Sequence, residues 1–389
     1  MASTVPNAGP DRSIVQAVVV RLDDSYQVKI DSLTTRLVDL PLARPVGTAI
    51  HAMRSVGCVL VEAQCDNGVV GQSYIFSLNA KRIRSLDEMV KGYAEFVVGR
   101  SPAEHAEIFD AIWKAINPMG HAGVTIAGLS AIDVALWDAI GKNAGLPLHQ
   151  LWGSDHKSVA AYATSGLWLS ETIDELLEDA QAFVNEGFTG MKIRLGSVNP
   201  ADDVERVRAV RNAIGPDIEL YSDVNQGLNV EQAITLGQSL AEFNLTWFEE
   251  PVPYYDEAGH AAVRAAVDMP IATGESVYTR IGMQRLIDAG AADVLMPDLQ
   301  RIGGFSEFRR ASEAAGAAGV PVSSHFFTEQ SLCLAASIDN CISVEHCDWF
   351  SPLFNEPMEM VNGEVLVPNR PGHGFTFNED IIAAHPLRD

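Results

Sequence analysis

Three short runs decide the fold of this chain: IELYSD at 218–223, LTWFEE at 245–250 and PIATGE at 270–275. Their acidic residues Asp223, Glu249 and Glu275 recur at an even spacing of 26 residues. Each run is apolar up to its acid, and a stretch with helical spacing leads to the next. One strand, one helix and two loops occupy roughly 25–30 residues, so each acid stands at the C-terminal end of a successive parallel strand. Three carboxylates gathered there repel one another unless a cation lies between them. An all-oxygen set of this kind suits a hard divalent ion, Mg2+ before others.

The same unit repeats on both sides of the ladder. Strand Val159–Thr164 leads into a helix that opens on Thr172-Ile-Asp-Glu175, a capping box. MKIRL (191–195), DVLMPD (293–298) and PVSSH (321–325) are each followed by a helical pattern, and ISVEH (342–346) ends the series. A repeated βα unit of this length predicts an α/β fold with a closed parallel barrel of the (β/α)8 TIM type. Upstream, YQVKIDSLTTRLVDLPL (26–42) and CVLVEAQ (58–64) are strand-like, the turn Asp66-Asn67-Gly68 follows, and a strand resumes at Val69. Helical spacing over 81–98, 102–116 and 123–143 completes an α+β domain. The expected organisation is a flexible extension over 1–25, an α+β capping domain over 26–150, the barrel over 151–353, and a segment over 354–389 that packs back on the capping domain.

Bulk properties narrow the function. The 389 residues carry 27 Lys+Arg against 51 Asp+Glu, a net charge of −24, which argues against nucleic acid or an anionic membrane as partner. An anionic substrate would need local positive charge. The five cysteines form no CxxC or zinc spacing, as expected of free thiols in the cytoplasm. The apolar run at 14–20 is too short to span a bilayer.

Five further residues stand near strand ends. Lys192 and Arg194 alternate within one strand and so share a face. Asp298 ends LMPD, His325 ends SSH, and Glu356 lies in NEP after the final strand. Singly, each has an ordinary structural explanation: a hydrogen-bonded histidine, solvated basic residues, acids that cap helices. Their joint placement on one circle of strand ends favours chemistry.

Together these motifs resemble the enolase superfamily and, within it, the mandelate racemase group. The likeness runs from about Leu33 to Phe377 and includes PLARPVGTA, GQSYIF, AIDVALWDAIGK, the K-x-R strand, D-x-N, WFEEP, LMPDLQRIGG, PVSSHFFTE and NEP. It implies a modified (β/α)7β barrel under an N-terminal capping domain. By the same resemblance Asp223, Glu249 and Glu275 bind Mg2+, with Asn225 supporting them. His325 and Asp298 form a base dyad, Lys192 helps to neutralise a substrate carboxylate, and Glu356 hydrogen-bonds it. Such proteins are often homo-oligomers, dimers or octamers.

Removing a proton α to a carboxylate builds a dianionic enediolate, so charge must be stabilised as it develops. Lys192 and Arg194 supply that charge against the substrate. Where mandelate racemase-like proteins carry a second Lys as base, this chain has Arg194. A guanidinium holds five donors and no acceptor, which makes it a clamp rather than a base. Racemisation needs bases on two faces, whereas dehydration is completed by His325 alone. The expected activity is therefore a hydro-lyase acting on a sugar acid. The alternatives are a 2-hydroxyacid racemase or epimerase, a lactone cycloisomerase, and an inactive metal-stabilised binding protein. Segment Leu42–Met53 is expected to cover the barrel mouth with the apolar Val46, Ile50 and Met53, while His51, Arg44, Tyr74 and Asn79 are candidate substrate-binding groups.

Overall fold

The computed structural model describes residues 27–388; the extension expected over 1–25 lies outside the described residues. The chain first forms an antiparallel meander of β1 (Ile30–Gly47), β2 (Ala52–Cys65) and β3 (Val70–Leu78), ordered β1-β2-β3. Gly68 makes the expected β2–β3 turn at φ 89°, which only glycine adopts freely. The helices follow as read, with the first broken into Ile83–Gly92 and Ala94–Val97.

Helix Val124–Ala144 joins the two layers. It is apolar and long enough to cross a bilayer by composition, yet 89% of its most apolar window is buried inside protein. Ile126, Leu129, Ile132 and Leu136 pack against Val59, Val61 and Ile75 of the meander. On its other side Ser130 donates to the Leu299 carbonyl and Asp133 accepts from Ser306, both on the barrel. Gly71 permits the close approach, because a Cβ there would run into the Ala135 carbonyl.

The barrel comprises β4 (Ser158–Ala163), β5 (Gly190–Arg194), β6 (Glu219–Asp223), β7 (Phe248–Glu249), β8 (Ile271–Thr273), β9 (Val294–Leu295), β10 (Val322–Ser324) and β11 (Cys341–His346). These eight parallel strands run in sequence order, and β11 pairs with β4 to close the ring. Helices follow the first seven; after β11 comes only the short 3-10 turn Ser351–Leu353, which is the (β/α)7β variant. Inside the ring Tyr162, Tyr221, Trp247, Ala272, Val294 and Met296 form a buried layer. This aromatic floor lies directly beneath the functional strand ends. The indole of Trp247 donates to Glu249 at 2.9 Å, and the Tyr162 ring centre lies 5.7 Å from Lys192 Nζ.

The tail reaches both domains. Strands β12 (Met360–Val361) and β13 (Glu364–Leu366) form a hairpin, and β13 pairs antiparallel with β4. Further on, Leu387 donates to the Leu37 carbonyl and Glu379 pairs with Arg36 on the capping sheet.

Asp133 gives the domain junction a pH dependence. Its carboxylate accepts from the Ser306 amide at 2.9 Å and hydroxyl at 2.6 Å at the start of helix Gly304–Ala317. Burial outweighs these bonds and raises its pKa to about 7. With the folded pKa above the unfolded one, this carboxyl favours the folded state at acid pH, and the benefit is lost as pH rises from about 4 to about 7. Urea unfolding of Asp133→Asn against the unmodified chain should show a stability difference that changes across that window by on the order of 1–4 kcal/mol. A pH-independent difference would sink the assignment.

Candidate active site

The functional side chains come from the C-terminal ends of successive strands. Lys192 and Arg194 both point into the ring from β5, Asp223 and Glu249 end β6 and β7, and Glu275 follows β8 across Gly274. Asp298 and His325 follow β9 and β10 and pair as an isolated parallel bridge. Ligand oxygens of Asp223, Glu249 and Glu275 lie within 4.8 Å of one another, and all three residues are buried. Burial pushes the Glu249 carboxyl up to about 8 despite Lys192, with Asp223 adding to the rise; burial also raises Asp223. Three crowded, desolvated carboxylates are an all-oxygen donor set that a hard divalent cation fits. Asn225, at φ 47°, fastens Asp223 through its amide (2.7 Å) and its side chain (2.8 Å), and its own Oδ1 is buried without a partner.

Beside this set lies a cationic flank. Lys192 Nζ stands 2.8 Å from Glu249, 2.7 Å from Glu345 and 3.7 Å from Asp223. Burial lowers its pKa, but Glu249, Glu345 and Asp223 outweigh burial and hold it raised, so the ammonium is permanent. The Arg194 guanidinium lies 4.1 Å over the Trp168 ring and donates to the carbonyls of Thr164 (2.7 Å) and Gly166 (3.3 Å) and to the Thr164 hydroxyl. Its Nε makes no hydrogen bond and stands 4.0 Å from Asp223.

Across the pocket stands His325. Its Nδ1 is 2.7 Å from Asp298 Oδ2, and its Nε2 is 3.2 Å from Glu275. Asp298 does two things: one oxygen orients His325, and the other caps helix Leu299–Ile302 by accepting from the Arg301 amide at 2.8 Å. Burial lowers the imidazole pKa, but Glu275 and the bond to Asp298 overcome it, leaving the pKa above its ordinary value. With Nδ1 committed to Asp298, Nε2 is the nitrogen left to exchange a proton.

Two family models match the chain: residues 32–153 match the mandelate racemase/muconate lactonizing enzyme N-terminal domain, and 175–381 match the enolase C-terminal domain-like family. The chain belongs to the mandelate racemase group of the enolase superfamily. It is 35% identical over 357 residues to L-talarate/galactarate dehydratase of Salmonella typhimurium, covering 90% of this chain and 89% of that one. A structure of that enzyme with Mg and L-lyxarohydroxamate superposes at TM-score 0.89, with 32% identity and coverage of 99% and 97%. D-galactarolactone cycloisomerase of Agrobacterium fabrum is 33% identical over 93% of this chain and 100% of its own. An enolase from Bradyrhizobium, solved with magnesium and mandelic acid, superposes at TM-score 0.87 with 31% identity, over 93% and 99% of the two chains.

Within this enolase-superfamily site one expected residue is displaced. Glu356 does not reach the pocket: its carboxylate accepts from the amide (2.7 Å) and hydroxyl (2.9 Å) of Thr376 and holds the tail. The acid that enters from the last strand is Glu345, in β11, fully buried. It accepts from Thr164 at 2.8 Å, pairs with Lys192, and lies 4.0 Å from His325 Nε2. Burial would raise its pKa, but Lys192, His325 and Arg194 hold it down at about 2. Strand alternation contains the signal: Ile342 faces outward, so Ser343 and Glu345 face in.

The hairpin formed by the end of β1 and the start of β2 covers the mouth, as expected of Leu42–Met53. Thr48, Ile50, His51 and Met53 line the pocket, and the Gly47 amide donates to Ser170 on the barrel. Three other candidates are engaged elsewhere. Tyr74 is buried among Phe327, Phe350 and Phe354, Arg44 is paired with Glu171 at 2.7 Å and with Asp179, and Asn79 binds the backbone of Arg54 and Ala52. Trp168, Phe326, Trp349 and Arg301 line the pocket without having been singled out in the sequence. The space they enclose is narrow, about 90 Å3, and opens to solvent at its mouth.

Proposed function

We propose that the chain is an Mg2+-dependent hydro-lyase that converts a 2,3-dihydroxy sugar acid into a 2-keto-3-deoxy acid in the cytoplasm. The reading is carried by the asymmetry of the two sides of the pocket. On one side His325 offers Nε2, oriented through Asp298. On the other, Arg194 is locked onto carbonyl oxygens and the Trp168 face and offers no acceptor. One competent acid/base is what dehydration needs. Relatives named as a dehydratase and as a cycloisomerase lend support, since both kinds of reaction can begin with the same α-proton abstraction.

The substrate carboxylate is drawn to Lys192 and Arg194, and the α-carbon then faces His325. His325 Nε2 accepts the α-proton, leaving the electron pair in an enediolate and the ring as an imidazolium stabilised by Asp298. Collapse of the enediolate breaks the β-carbon–oxygen bond. The same Nε2 returns its proton to the departing hydroxyl, which leaves as water, and the enol tautomerises to the 2-keto acid. Asp223, Glu249 and Glu275 would hold a divalent cation, which would supply positive charge to stabilise the enediolate.

Incubation with a panel of aldonic and aldaric acids should yield 2-keto product in a carbonyl assay, lost with EDTA and restored by Mg2+. Optical inversion without keto product would instead establish a racemase or epimerase. Arg194→Lys should lower keto formation at least about tenfold, because an ammonium cannot bridge the same carbonyls and stack on Trp168. Unchanged turnover would remove Arg194 from the site.

A further inference from the structure

The wall of the pocket between Arg194 and His325 is aromatic throughout. The guanidinium covers Trp168, Trp168 stacks on Trp349 at 5.2 Å and 16°, Trp349 meets Phe326 at 5.7 Å, and Phe326 stacks on His325 at 4.2 Å. The lid adds Ile50 and Met53 to the lining, and Met53 clusters with Val46 and Trp168. Hydrocarbon therefore joins the group that clamps the substrate carboxylate to the group that takes its α-proton.

Of the cations near this pocket, Lys192 and Arg194 are assigned to the reacting carboxylate, and the others are paired within the protein. Lys192 is shared by Glu249 and Glu345. Arg301 donates to the Glu275 carbonyl at 2.9 Å and lies 3.5 Å from the Asp298 carboxylate. Arg194 serves the reacting carboxylate. The lid cation Arg44 is held between Glu171 and Asp179. Among the described lining residues, Thr48 and His51 are the polar side chains that the lid presents, and burial lowers the His51 pKa, so it adds no charge near neutrality. A second carboxylate on the substrate would lose water against this wall with no cation to meet it. A neutral hydroxyl fares better, because it costs less to desolvate than a carboxylate.

We infer that the substrate is a monocarboxylic 2,3-dihydroxy acid whose far end is apolar (a methyl, alkyl or aryl group), and not an aldaric diacid. This rests on the reading of the site as a dehydratase, and its test separates the two. Two pairs of acids differ only at the far end: 2-hydroxyhexanoate against 2-hydroxyadipate, and 2,3-dihydroxyhexanoate against 2,3-dihydroxyadipate, all as mixed stereoisomers. With the Mg2+-loaded full chain, α-deuterium incorporation in D2O reads seating and proton abstraction in the first pair, and carbonyl formation reads elimination in the second. The monoacid is expected to lead in kcat/KM by at least about tenfold in both readouts. Equal or faster reaction of the diacids overturns the inference, and so does absence of exchange with either acid. Exchange that favours the monoacid, with no keto product from the dihydroxy pair, overturns the dehydratase reading and leaves the apolar preference standing. Ile50→Arg, at a half-exposed lid position, supplies the missing cation and should shift the ratio toward the diacids by about tenfold. An unmoved ratio counts against the charge argument.

Discussion

Replacing His325 by Asn is expected to lower kcat by roughly 10²–10⁴-fold, the usual worth of a positioned acid/base group. The substitution is close to isosteric, and its side-chain amide still has Asp298 within reach, so the barrel and the metal-ligand set should be undisturbed. What disappears is a nitrogen able to accept and return a proton. Two measurements separate loss of chemistry from loss of fold: α-proton exchange in D2O, which should vanish, and thermal unfolding, which should stay near that of the unmodified chain. Exchange that persists in the variant would assign the proton to another group. Asp298→Asn should also lower kcat steeply, by up to about 10⁴-fold, since it removes the charge that fixes the imidazole tautomer while leaving the ring in place.

The second large effect concerns the acid of the last strand. Glu345→Gln should lower kcat/KM by about 10²-fold, on the scale of losing one preorganised electrostatic contact in a dry site. Glu345 holds Lys192 at 2.7 Å and Thr164 at 2.8 Å, and Thr164 in turn receives Arg194, so one carboxylate sets the position of both cations that face the substrate. Glu356→Gln should change kcat/KM by less than about twofold, as expected of a substitution remote from the pocket. The comparison is decisive because Glu345 lies within β11 and lines the pocket, whereas Glu356 lies beyond the strand and binds Thr376. If Glu356→Gln proved the damaging change, the tail would have to enter the pocket and the placement of Glu345 would be wrong.

The ladder of three acids was legible because it rests on a local rule. A strand end in a parallel barrel is marked within half a dozen residues, and repetition at a constant spacing identified the ring. The same rule, applied to ISVEH, points to Glu345. The acid of NEP, expected from the resemblance, lies beyond the strand and is tied to Thr376. Tyr74 and Phe76 share one face of β3 and lie against the same Phe327 and Phe350 rings, but of the two Phe76 lines the pocket. Which of the two reaches the mouth depends on where the meander sits over the barrel, and no pattern within β3 states that. Arg44 looked free because its partners Glu171 and Asp179 are far away in sequence.

Sequence alone pointed to the βα repeat, the closed barrel beneath a capping domain, three carboxylates at successive strand ends and the K-x-R strand, all from periodicity and from residues adjacent to strand ends. The pairing of His325 with Asp298 was expected from the family resemblance. Only the tertiary structure decided which acid of the last strand enters the pocket, which lid groups are spent in ion pairs, and that an aromatic wall links Arg194 to His325. Trp168 follows β4 and Trp349 follows β11, the first and last strands of the barrel, and their rings stack because β11 pairs with β4. Contacts made by closing a ring belong to its geometry and leave no mark in the local sequence.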